Sequence, residues 1–108
     1  MTADAALIVV LCTAPDETTA HKLGKGLVEE RLAACVNAIS GVNSFYRWQG
    51  KIEVDTEIQL IIKTRRGRFD EVAEWLKANH PYDVPEIIAL PVDKVSESYL
   101  KWALGETG

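Results

Sequence analysis

The segment "KIEVDTEIQLIIK", Lys51 to Lys63, constrains the fold more than any other stretch of the chain. Ile52, Val54, Ile58, Leu60 and Ile62 fall on one side of an extended backbone, and Glu53, Asp55, Glu57, Gln59 and Lys63 on the other. Successive side chains of a strand point to opposite faces, so this period reads as a strand with one buried face. Gln49-Gly50 just before it is a turn signal, and a β-rich segment runs up to that turn from "LAACVNAIS" through "GVNSFYRW". The two runs make a hairpin. Each arm reaches about 13 residues, or roughly 40 Å at about 3.3 Å per residue. A chain of 108 residues folds into a body roughly 35 Å across. The arms therefore overrun their own core. Phe45, Tyr46, Trp48, Ile52 and Val54 would be left wet in a monomer, and open sheet edges with apolar surface are normally covered. The hairpin implies a partner chain, unless a bend or bulge near Gly41 folds it back.

Around the hairpin the remaining elements fall into order. "ALIVVL", Ala6 to Leu11, is short, apolar and rich in β-branched residues, which predicts a strand buried on both faces. Thr13 or Asp16 can cap the helix that follows, in which Ala20, Leu23, Gly24, Leu27 and Val28 recur with helical spacing. Phe69, Val72, Ala73 and Leu76 predict a second helix. "NHPYDVPEI", Asn79 to Ile87, is a connection stiffened by two prolines, and "IIALPV", Ile87 to Val92, is a fourth strand that Pro91 confines to an edge. Ser96 can cap a last helix carrying Tyr99, Leu100, Ala103 and Leu104. The order is β-α-β-β-α-β with an added C-terminal helix. That is an α+β, ferredoxin-like arrangement, a single domain over residues 1–108 with helices on one face of an antiparallel sheet.

Charge and composition narrow the function. Twelve basic against sixteen acidic residues give a net charge of -4, the opposite of the basic footprint of a nucleic-acid binder. No apolar run approaches the ~18 residues of a membrane span, and "MTADAALIVV" has no basic n-region of a signal peptide. Cys12 and Cys35 are two unclustered cysteines, expected to be reduced in a cytoplasmic protein.

The blocks "LCTAPDE", "RLAACVN", "YRWQGKIE", "EIQLIIKT", "HPYDVPEI" and "YLKW" together resemble the CutA family, the divalent-cation tolerance proteins, over nearly the whole chain. The resemblance implies a ferredoxin-like protomer in a tight homotrimer that looks like the PII signalling proteins. It also implies an association with copper and other divalent metal ions. It places Cys12 among the ligands, His80 in the "HHPY" position of relatives that carry paired histidines, and Glu86 beside them. Here Asn79 takes the place of the first histidine, and a neutral amide is a poor copper ligand.

Each candidate has a structural alternative. Cys12 just before a helix N-terminus would carry a lowered pKa and act as a soft donor, or it is a small buried hydrophobe at a strand end. His80 precedes Pro81 and is therefore extended, which fixes its imidazole, or it serves a helix C-terminus. Glu86 is a carboxylate ligand, a partner of Lys63, or a solvated side chain. Sulfur, nitrogen and oxygen donors together suit copper or Zn²⁺ rather than Mg²⁺ or Ca²⁺. Tyr46, Trp48, Lys63, Tyr82 and Trp102 form a second pool. They would line an inter-subunit cleft for a small anion or pack the trimer. No Gly-rich phosphate loop, Ser-His-Asp set or metal-hydrolase motif is present, so the expectation is a binding protein and not an enzyme such as an acylphosphatase. The acidic balance and the missing aromatic RNA-binding motifs exclude an RNA-recognition domain. Two readings remain: a homotrimer that binds copper or another divalent ion, and a PII-like trimer that binds a small ligand or partner in its clefts.

Overall fold

The structure, a computed structural model, describes residues 3–108. Met1 and Thr2, where the segment lacking a basic n-region begins, lie outside the described residues. The elements are β1 (Leu7–Ala14), α1 (Glu17–Glu29), β2 (Cys35–Trp48), β3 (Lys51–Arg65), α2 (Phe69–Asn79), β4 (Ile88–Pro91) and α3 (Glu97–Glu106), with short 3₁₀ turns before β1 and α2. The four strands form one sheet in the order β2-β3-β1-β4, every neighbour antiparallel. This is the ferredoxin-like order that the sequence implies.

Alternation sorts the sheet into two faces. Ile8, Val10, Cys12 and Ala14 of β1, with Ile58, Leu60 and Ile62 of β3, pack against Leu23 and Leu27 of α1 and Val72 and Leu76 of α2. Burying each large aliphatic side chain stabilises the fold by about 1.5–3 kcal/mol. The third helix departs from the one-faced expectation. Ala103, Tyr99 and Leu100 pack with Leu7 and Ala34, so α3 crosses the end of the opposite face. Val9 and Leu11, also on that face, are only half-buried, so β1 is not buried on both sides. β1 also runs on through Cys12 to Ala14, where the sequence placed its end at Leu11. β4 is one residue shorter at each end than expected.

The helix ends follow local chemistry. Asp16 caps α1, its Oδ1 accepting from the Thr19 N–H at 2.8 Å, and that bond lowers the pKa of its carboxyl. The other end closes with the N–H of Leu32 on the Leu27 carbonyl and the N–H of Arg31 on the Val28 carbonyl. Arg31 holds the left-handed conformation, φ 58°, that this Schellman closure needs. Val28, assigned by spacing to the buried stripe, is 43% exposed. That contact is close. A Cβ built on Gly26 would stand 2.5 Å from the Trp75 ring, whereas one on Gly24 meets Val36 at an ordinary 3.4 Å.

The hairpin arms are 14 and 15 residues long. Gln49 (φ 49°) and Gly50 (φ 79°) both take positive φ, as a two-residue I′ turn requires. Between Ile39 and Val42 the register slips by one residue at Gly41, φ 75°, a glycine bulge. The bulge does not fold the arm back, for the molecule measures 46 × 25 × 23 Å. Phe45, Ile52 and Val54 stand 72%, 63% and 59% exposed beyond the core.

Gly26→Ala should lower the thermal midpoint, by about 1–3 kcal/mol of overpacking against Trp75 less the ~1 kcal/mol that alanine gains in a helix. Gly24→Ala should leave it unchanged or raise it. Circular-dichroism melts of both variants check this; equal effects would mean the Trp75 contact is loose.

Candidate functional site

The end of β1 and the connection from α2 to β4 meet through His80. Its backbone N–H caps α2 by donating to the Leu76 carbonyl at 2.8 Å, and its extended φ/ψ of -89°/140° is what a residue before proline adopts. The ring is 8% exposed. Nδ1 accepts the Tyr82 backbone N–H at 3.1 Å, which puts the proton on Nε2, and Nε2 donates to the Thr13 carbonyl at 2.8 Å. The Tyr82 ring lies against the imidazole, centroids 4.7 Å apart. Both nitrogens are therefore engaged, and a metal ion on Nδ1 must displace the Tyr82 N–H. Asn79 does not point to this site; its Nδ2 donates to the Trp75 carbonyl at 2.9 Å within α2.

Cys12 lies one layer deeper, fully buried on the helix side of β1, its Sγ 3.7 Å from the Thr13 carbonyl. The expected lowering of its pKa is reversed. The strand continues past it and α1 is capped only at Asp16, so no helix N-terminus faces the thiol. Burial, then the nearby charges of Glu86 and Glu57, push the thiol up to about 12. Glu86 lines the same cleft as Thr13, the residue that follows Cys12. Glu86 Oε2 is buried and has no hydrogen-bond partner. The strand end and the connection thus lie side by side, with Cys12, His80 and Glu86 around Thr13. Among the described residues, no three His, Cys, Asp or Glu side chains yet converge as a preformed metal cluster.

In front of these residues opens a cleft of about 630 Å³. Tyr46 and Trp48 of the distal β2 arm form one wall, Glu57 of β3 the floor, and Tyr82 and Glu86 the other wall. Glu57 is 5% exposed and accepts from the Tyr82 hydroxyl at 2.6 Å. Burial first, and that bond second, raise the Tyr82 phenol. The Tyr46 hydroxyl donates to Asp55, which pushes its phenol up to about 12. Alternation alone had placed Glu57 among solvated acids, and nothing in the sequence separates it from Glu53 and Asp55. Tyr82, from another element, meets it with its hydroxyl.

The second pool divides. Tyr46, Trp48 and Tyr82 share the cleft, while Lys63 and Trp102 sit toward the other end of the sheet. The Lys63 amine bonds Asn37 and lies 4.0 Å from Cys35 Sγ, so it does not pair with Glu86. It stands six residues along β3 from Glu57, roughly 20 Å at about 3.3 Å per residue. Trp102, half-exposed on α3, stacks obliquely on Tyr99 with centroids 5.5 Å apart.

Comparison with known proteins agrees with this architecture. The family model of the CutA1 divalent ion tolerance protein matches residues 8–106. The divalent-cation tolerance protein CutA of Thermus thermophilus is 50% identical over 100 residues, 93% of this chain and 97% of that protein. The crystal structure of CutA from Xylella fastidiosa superposes with a TM-score of 0.93 at 43% identity, covering 95% of this chain and 99% of that one. A CutA of Archaeoglobus fulgidus, described as a periplasmic divalent cation tolerance protein, gives 0.92 at 38% identity over 94% and 99% of the two chains. With strand order, helix placement and sequence in agreement across nearly its full length, the chain belongs to the CutA1 divalent ion tolerance family.

Proposed function

We propose that this chain serves divalent-cation tolerance as a homotrimer that binds copper or another divalent ion, and that it catalyses no reaction. The observation that carries the metal reading is Glu86 Oε2, a buried carboxylate oxygen without a partner, in a residue whose charge reaches the Cys12 thiol. A cation satisfies that oxygen and can displace the thiol proton. Thiolate sulfur with carboxylate oxygen suits copper or zinc and not magnesium. His80 holds the frame between Thr13 and Tyr82 and becomes a ligand only by releasing the Tyr82 N–H. Two unpaired cysteines fit a reducing compartment, so we place the protein in the cytoplasm, unlike the relative described as periplasmic.

Assembly is supported by what the protomer leaves uncovered. The distal hairpin exposes Phe45, Ile52 and Val54, and the outer sheet face exposes Ile39, Ile88 and Leu90. β2 and β4 are open edges. A PII-like role, with a small ligand in the cleft, is the second reading. It is favoured by the aromatic walls of Tyr46, Trp48 and Tyr82.

Because the thiol is protonated at neutral pH, each ion that binds Cys12 releases a proton. Affinity should rise about tenfold per pH unit between about pH 6 and 8. Cys12→Ser should weaken copper binding by about 100-fold, more than His80→Ala, and Glu86→Gln by about tenfold. Competition titrations with a copper chelator measure all three; equal affinities would show that these residues form no site.

Sedimentation equilibrium should report three chains per particle. Phe45→Asp places a charge where the protomer has no core, so it should dissociate the trimer and leave the protomer's secondary structure intact. A wild-type monomer, or a trimer indifferent to Phe45→Asp, would remove the hairpin from the assembly surface.

A further inference from the structure

The sequence grouped aromatic residues with Lys63 around an anion, but the folded cleft has the opposite sign. Lys63 is held elsewhere by Asn37, and among the described residues no lysine or arginine lines the cleft. Its ionisable lining is acidic: Glu57, Asp83 and Glu86. One carboxylate, Glu57, is buried, and one oxygen of the half-buried Glu86 is shielded as well. Glu57 is almost wholly buried and spends one oxygen on the Tyr82 hydroxyl, while Glu86 Oε2 is buried with nothing to accept from. Buried polar atoms are nearly always paired, so this acceptor beside a cavity has capacity for a donor that enters the cleft. Opposite these acids stand the rings of Tyr46 and Trp48, surfaces that attract a cation through their faces and bury apolar groups.

We propose that the cleft between the distal β2 arm and the Pro81–Glu86 connection binds a small primary ammonium compound with an apolar body. The ammonium supplies N–H donors to Glu86 and Glu57 as charge-assisted bonds, and the body lies against Trp48 and Tyr46. A quaternary ammonium has no N–H and would leave Glu86 Oε2 unpaired. The volume suits a ligand of this size, since small-molecule sites run from about 300 to 1,000 Å³. This inference rests on the ligand-cleft reading and not on copper, because Cys12 lies behind the cleft and does not line it.

The test is calorimetric titration of the assembled protein in the presence of a chelator with three shape-matched probes: 2-phenylethylamine, 2-phenylethanol and 3-phenylpropionate. The amine should bind at one per chain, about tenfold or more tighter than the alcohol, and the carboxylate should not bind. Glu86→Gln should weaken the amine about tenfold and leave the alcohol unchanged, while Trp102→Ala, on α3 away from the cleft, should leave the amine within about twofold. An alcohol bound as tightly as the amine, no amine binding at millimolar concentration, or an unchanged Glu86→Gln affinity would each overturn the proposal. The wild-type ranking decides the matter even if a variant fails to fold.

Discussion

The hydrogen bond from His80 Nε2 to the Thr13 carbonyl joins the two segments that carry the candidate metal ligands. It spans from the end of α2 to the end of β1, between residues far apart in sequence. A buried bond of this kind contributes about 1 kcal/mol net, but leaving its carbonyl unpaired would cost about 1–3 kcal/mol. The second ring nitrogen takes the Tyr82 N–H, so one imidazole sets the direction of the chain on both sides of Pro81. Tyr82 then reaches Glu57 on β3, and Glu86 lines the same cleft. Two strands, the end of a helix and a loop are tied at one point.

The same constraint explains why the site is acidic and closed on one side but open on the other. Glu57 and Glu86 line one cleft, and burial first, then their charges, hold the Cys12 thiol protonated. The facing wall comes from the hairpin arm, which has little core of its own. Its aromatic residues gain burial only from a ligand or another chain. In the proposed trimer the stability of the distal arm is linked to association, and the protomer core of Leu23, Leu27, Leu60 and Leu76 is not.

Much of this was legible in the sequence, through periodicity. The alternation of Ile58, Leu60 and Ile62, the spacing of Leu23 and Leu27, and the Gln49-Gly50 turn are local signals, and each formed as read. Cys12 shares the parity of Ile8 and Val10, so its burial was available from alternation once the strand extended past Leu11. What failed depended on distant approach. Glu57 meets the Tyr82 hydroxyl, Lys63 is captured by Asn37, and α3 turns to the second face because Leu7 and Ala34 leave an apolar seat there. No window of neighbouring residues contains those facts.

The tautomer of His80 is the most direct measurement of this arrangement. Long-range ¹H–¹⁵N correlation spectra of the assembled protein resolve protonated from bare imidazole nitrogens. The expected result is a proton on Nε2 of His80 and a bare, hydrogen-bonded Nδ1, as the Thr13 and Tyr82 contacts require. A proton on Nδ1 with a bare Nε2 would contradict it, for then neither contact could form and the connection would lose its tie to the end of β1.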